Sequence, residues 1–360
     1  MRYPSIDILR TVAIFVMVLV HFGENLSGYK PPIAGLGAPV FAFLSGVSYV
    51  LWVQGQQRKG RSETEISKVS VRRGLFVFFL GFAFNVFVWF PEDTFNWDVL
   101  TFIGAALLLL NVARHVPLPI LVLMAVCSVL VSPILRVMAD YKAYWVEGYY
   151  EGDLTLSDVL IGFLSTGYFP IFPWIAYSLT GFVTATAVFR ESSDSRRLSG
   201  RAVRVGFILI ATSVAALLIR PYLPEVLSQR VLGGWTMFPS TIEYVCATLG
   251  MALALFGLGH RWVDLNPSLE RYRGALEITK TFSQYSLTIY VLHHVVHLWP
   301  LWIYSVAKGQ DATFYLGKAM SPTMSLPLAL VFMAACLVWF RWLGMGERRG
   351  IESWMRWLCD

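Results

Sequence analysis

Ten apolar stretches, each close to the length of a bilayer crossing, recur along the chain and restrict its fold more than any single residue does. They fall near 5–26, 34–54, 73–91, 97–113, 117–136, 168–189, 203–221, 239–258, 280–300 and 324–343. A helix rises about 1.5 Å per residue, so roughly 20 residues cross the hydrocarbon of a membrane. Helices also satisfy their own backbone groups where no water is present to do so. The rest of the composition fits no soluble class, because 56% of the 360 residues are apolar and only 14% are charged, against about a quarter in a soluble domain. The expected fold is all-α, a polytopic membrane protein with about ten transmembrane helices, organised as one domain over 1–360.

An even number of crossings puts both termini on one side. Of the 29 Lys and Arg, 22 fall at the first helix, in the even-numbered connections or after residue 340. The positive-inside rule therefore makes the termini cytoplasmic. This asymmetry, with attraction to anionic lipid, accounts for the net charge of +6 without a nucleic-acid partner. The first stretch is too long for a cleaved leader and has no small-residue cleavage site, so it is expected to stay. Cys127, Cys246 and Cys336 lie in apolar stretches and Cys359 near the end, which implies no disulfide framework. Residues 346–360 read as an interfacial helix, with Ile351, Trp354, Met355 and Leu358 on one face.

The first stretch, SIDILRTVAIFVMVLVHFGENL, carries Asp7, Arg10, His21 and Glu24. Arg10 and His21 are three turns apart, so they share a helix face about 16 Å apart along the axis. Asp7 lies one turn before Arg10, within pairing reach. A structural ion pair near the interface is one reading of Asp7 and Arg10. Ionisable groups within a span more often line a bundle interior or water-filled passage and mark a site.

The ninth stretch, YVLHHVVHLW, holds three of the six histidines. His293 and His297 share a face, and His294 lies about 100° around. By topology these sit at a depth similar to His21, with Tyr290 one turn below. Metal or haem ligation is a competing reading, but no accompanying Cys or HExxH pattern supports it, so no metal is expected. His297, near Trp299, is the histidine expected to face headgroups.

The basic loop QQRKGRSETEISKVSVRRG ends in Arg72 and Arg73, which read as a topology signal or as phosphate-holding cations. FPIFPWIAYSL places Trp174 and Tyr177 after Pro170 and Pro173, either in an aromatic belt or in the wall of an acceptor pocket. Tyr144, Trp145, Tyr149 and Tyr150 in the acidic, aromatic segment 137–167 invite sugar stacking or a belt equally. Asn85, Asp98 and Glu243 are polar groups in or near spans that are suited to orienting a histidine or an acceptor.

IDILR followed after ten residues by His21 resembles the transmembrane acyltransferase superfamily, and in particular its heparan-α-glucosaminide N-acetyltransferase-like branch, related to acyltransferase-3 proteins. GAPVFAFLSGVSYVLW, RRGLFVFFLGFAFN, FPIFPWIAYSLTGF and SQYSLTIYVLHH are similar to later segments of those proteins, in order along nearly the whole chain. The lysosomal member of the branch carries Asn at the position of His21 and a working His in the following loop. This chain has no His there, so the resemblance carries catalysis to His21.

The resemblance implies an acyl-CoA donor, with acetyl as the expected group, and an extracytoplasmic glycan or aminosugar acceptor. It also implies a membrane lipid environment in a bacterial inner membrane; homodimers occur among the relatives. His21, with His293 and Glu24, would be catalytic. Arg10, Arg72, Arg73, Asp7 and Ser45 would hold coenzyme A. Asn25, Trp174, Tyr177, His294, Tyr290 and Asp98 would meet the acceptor. The alternative is a transporter or flippase that uses Arg10 and the histidines as a substrate or proton path.

Overall fold

In a computed structural model, residues 2–90, 93–190, 194–266, 271–343 and 350–360 are described. Within the described residues, each of the ten expected stretches is largely helical. Among the described residues, eight helices are long and apolar enough to cross a membrane: α1 (Pro4–Ser27), α2 (Gly37–Arg58), α3 (Glu63–Phe84, continued by a π turn to Trp89), α5 (Leu118–Met138), α7 (Ile171–Val188), α8 (Ser195–Ile219), α9 (Ile242–Gly259) and α12 (Pro322–Leu343). The chain is an all-α polytopic membrane protein. The fourth stretch forms α4 (Val99–Ala113), only 15 residues long.

Two boundaries differ from the sequence reading. The stretch expected over 280–300 is divided, because α10 (Arg273–Gln284) ends before Tyr285 and α11 (Ser286–Ala307) starts after it. Tyr285 has φ −110° and ψ 24°, outside the α-helical region. A short helix α6 (Leu156–Ile161), continued by a π turn to Thr166, lies in the segment read as a loop. Thr155 caps it by accepting from the Asp158 amide. The same segment holds a two-residue hairpin, Trp145–Val146 with Tyr149–Tyr150.

Contacts divide the chain into two compact units. The larger is built from Pro39–Asn266, in which α3 packs along α4, α5 along α7 and α8 along α9. Glycines let two helix pairs touch backbone to backbone. A Cβ at Gly46 of α2 would run into the Ser178 carbonyl of α7, and one at Gly181 into the Phe43 carbonyl. Gly206 of α8 and Gly250 of α9 meet in the same way. Small residues at crossings are how membrane helices gain contact when lipid tails remove any hydrophobic incentive to associate.

The smaller unit joins Tyr3–Ala38 to Pro267–Leu358, with α1 packed against α10, α11 and α12. Pro4 opens α1 at a position where a missing N–H costs nothing. Gly28 closes it in the left-handed region at φ 66°, its amide donating to the Glu24 carbonyl. A terminal helix α13 (Ile351–Cys359) follows; residues 346–349 of the expected interfacial helix lie outside the described residues. Trp354, Trp357 and Leu358 of α13 are exposed.

Candidate functional site

Of the side chains singled out in the first stretch, His21 meets the histidines of the ninth within the smaller unit. The His21 ring lies 5.3 Å from that of His293 and 4.6 Å from that of His294, and the latter two are 4.0 Å apart, centroid to centroid. His293, His294 and His297 are buried, and His21 is partly exposed. Four imidazoles delivered by two helices thus form one cluster. Tyr290, also buried, packs edge to face with His293 and His294, ring centroids 5.7 and 6.0 Å apart.

Hydrogen bonds settle the tautomers of two of these rings. The Ile289 carbonyl can only accept, so its 3.1 Å contact with His293 Nδ1 puts the proton there and leaves Nε2 a bare lone pair. His297 Nδ1 likewise donates to the His293 carbonyl. Its Nε2 then accepts from Asn25 Nδ2 at 2.9 Å. His297 is only 4% exposed and packs its ring against Phe22, centroids 4.7 Å apart. The expectation that it faces headgroups is therefore corrected. The bond to Asn25 explains the burial, because a buried polar atom needs a partner.

Below the cluster on α1, Arg10 donates to Ser283 Oγ at 2.7 Å, and Thr11 donates to the Thr279 carbonyl at 3.0 Å. These bonds tie α1 to α10. Asp7 is buried. Glu24 reaches outward to Lys30, 3.2 Å away, with both side chains well exposed; such pairs contribute little.

In the larger unit the remaining residues sit as follows. Arg72 is exposed, and the Arg73 guanidinium lies 4.9 Å over the Trp52 ring, a cation–π contact. Ser45 shares a 2.9 Å hydrogen bond with Ser178 at the crossing of α2 and α7. Asp98 caps α4, its carboxylate accepting from the Leu100 amide at 2.8 Å. Trp174 and Tyr177 are fully buried, and Tyr177 shares a 2.6 Å hydrogen bond with Thr248, so neither belongs to a lipid-facing belt. Asn85 donates to the Thr94 carbonyl, and Glu243 accepts from the Gly234 amide, which gives both a local role.

The aromatic faces of 141–150 are largely occupied by one another. Tyr141 stacks on Trp145, Trp145 on Phe238, and Tyr144 on Tyr150. The Tyr144 hydroxyl donates to Asp158 at 2.6 Å. This bond pushes the phenol up to about 12 and holds the Asp158 carboxyl below its usual range. Nearby, Arg136, Tyr141, Ser132 and Phe238 line a cavity with room for about one water molecule.

Sequence reasoning missed Ser283 and Thr279 as partners of α1, since hydroxyl residues in helices are too common to stand out. It also missed the contact of His297 with Asn25, for which the only signal was helical spacing from His293.

Among known proteins, the family described as heparan-alpha-glucosaminide N-acetyltransferase, catalytic, matches residues 2–224. This stretch takes in α1 through α8 and therefore His21 and Arg10; the histidines of α11 lie beyond it. No curated protein matches the chain.

Proposed function

Since the chain belongs to the heparan-α-glucosaminide N-acetyltransferase catalytic family, we propose that it carries an acyl group, in the first instance acetyl, from cytoplasmic acyl-CoA to an extracytoplasmic aminosugar or glycan hydroxyl. Membership makes it a membrane N-acetyltransferase-type protein. Donor, acceptor and residue roles are our reading, as are cytoplasmic termini, a bacterial inner membrane and kinship to acyltransferase-3 proteins.

The observation that carries the reading is the placement of His21. It is an imidazole within an apolar span, three turns from Arg10 on the same helix, with His293 and His294 against it. His21 takes the proton from the acceptor nitrogen or oxygen as that atom attacks the thioester carbonyl. The C–S bond breaks, and the CoA sulfur leaves as a thiolate that regains a proton. Histidine suits this at neutral pH because its ordinary pKa lies near 6.5. Attack by His21 itself, through an acyl-imidazole, gives the same products.

His293 and Glu24 would orient His21 or steady the acceptor, with Asn25, His294 and Tyr290 as further acceptor contacts; Trp174, Tyr177 and Asp98 of the larger unit are proposed as acceptor contacts residue by residue. Trp174 and Tyr177 would act through packing, being fully buried. Arg10, Arg72 and Arg73 would meet phosphate and pantetheine by charge-assisted bonds, and Asp7 and Ser45 are proposed as further coenzyme contacts.

The test is thiol release from acetyl-CoA by purified protein supplied with an aminosugar. Acceptor-dependent release should fall by about 10²–10⁴-fold in His21→Ala. Unchanged release in that variant would remove His21 from the mechanism. Uptake of substrate with no thiol released would make the chain a transporter.

A further inference from the structure

The histidine cluster also has the composition and spacing of a metal site. We propose that His21, His293 and His294 form a three-imidazole site for a divalent cation of the zinc class. Their ligating nitrogens all lie within 4.8 Å of one another. Zinc holds imidazole nitrogens at about 2.0–2.1 Å, which corresponds to a triangle of about 3.4 Å sides, so each nitrogen needs to move by only about 1 Å or less. Side-chain torsions of the partly exposed His21 supply most of that.

The second observation is the state of His293. Its Nδ1 donates to the Ile289 carbonyl, the arrangement by which metal-bound imidazoles are commonly fixed in tautomer and orientation. Its Nε2 therefore carries a lone pair, and this atom is buried without a hydrogen-bond partner. Leaving such an acceptor unsatisfied costs about 1–3 kcal/mol. A cation shared with two other imidazoles satisfies it.

Helix α11 alone does not make this site, because His293 and His294 are adjacent in sequence and point about 100° apart. The third ligand comes from α1. Imidazole selects zinc, cobalt, nickel and copper over magnesium and calcium, which demand oxygen ligands. Three protein ligands leave a fourth position open, as in sites where a metal holds water or a substrate atom. There a hydroxide or carboxylate oxygen would reduce the buried charge. A cation on this site would occupy the His21 lone pair, so the metal-loaded chain and the chain that uses His21 as a base are distinct states; cation binding is tested without donor or acceptor, so failure of one reading does not decide the other.

The experiment uses the full chain in detergent, stripped with EDTA and titrated with cobalt(II) alone. The result expected is the visible ligand-field absorption of low-coordinate cobalt at about one ion per chain. Zinc should displace that cobalt and magnesium should not. His293→Ala and His294→Ala should each weaken binding at least about tenfold, while His115→Ala, at an exposed position, leaves it unchanged. If the α11 variants do not fold, His21→Gln on α1 carries the same expectation. Absence of the absorption in the parent protein, or its persistence in folded variants of the three ligands, overturns the proposal.

Discussion

At the scale of single residues, the pair Asn25 and His297 gives the sharpest energetic expectation. Asn25 is 7% exposed, His297 is 4% exposed, and their hydrogen bond spans 272 positions of sequence. Asn25→Ala leaves the His297 Nε2 acceptor buried without its donor, which should cost about 1–3 kcal/mol of stability. Replacing both partners with apolar side chains removes the stranded lone pair. The double variant Asn25→Leu with His297→Phe should therefore unfold at a higher temperature in detergent than Asn25→Leu alone. Equal melting of the two would mean that packing against Phe22, rather than the polar bond, holds His297 in place. His21 was legible in the sequence because an ionisable group inside an apolar run is conspicuous. The Asn25 contact was not, because no local pattern encodes a partner so far along the chain.

At the scale of elements, helix ends decide what α1, α10 and α11 can present. The apolar runs revealed where helices lie, since hydrocarbon demands about 20 consecutive apolar residues. They did not reveal the break at Tyr285, because Phe282, Tyr285 and Leu287 keep the run apolar through it. The new helix start is closed from a distant element. One Glu352 oxygen of α13 accepts from the Leu287 amide at 2.7 Å and the Thr288 amide at 3.0 Å, and the other accepts from the Thr288 hydroxyl. A carboxylate at the first turn satisfies orphan N–H groups and complements the positive end of the helix. Glu352→Ala should therefore cost about 0.5–2 kcal/mol. It should also speed hydrogen exchange at the Leu287 and Thr288 amides while the middle of α11 stays protected. Unchanged exchange at those two amides would show that α13 does not cap α11.

At the scale of the whole molecule, charge distribution and chemistry lead to one expectation about sidedness. Under the proposed ten-span topology the Lys and Arg of the chain would concentrate on the side of the termini, and acyl-CoA is confined to the cytoplasm. Charged groups cross a membrane span only at considerable cost, so the coenzyme, with its phosphates, should remain where it binds while the acyl group alone is handed over. In proteoliposomes, labelled acetyl-CoA on the side of the basic loops and an impermeant aminosugar on the other side should give labelled product. Donor and acceptor confined together to either side should give little, and His21→Ala should lower product by about 10²–10⁴-fold in every arrangement. Product formed equally well with both reactants on the basic side would mean that the acceptor, too, enters from the cytoplasm. His21 would then serve an ordinary one-sided transferase, and the polar face of α1 would need no role in passing the acyl group across.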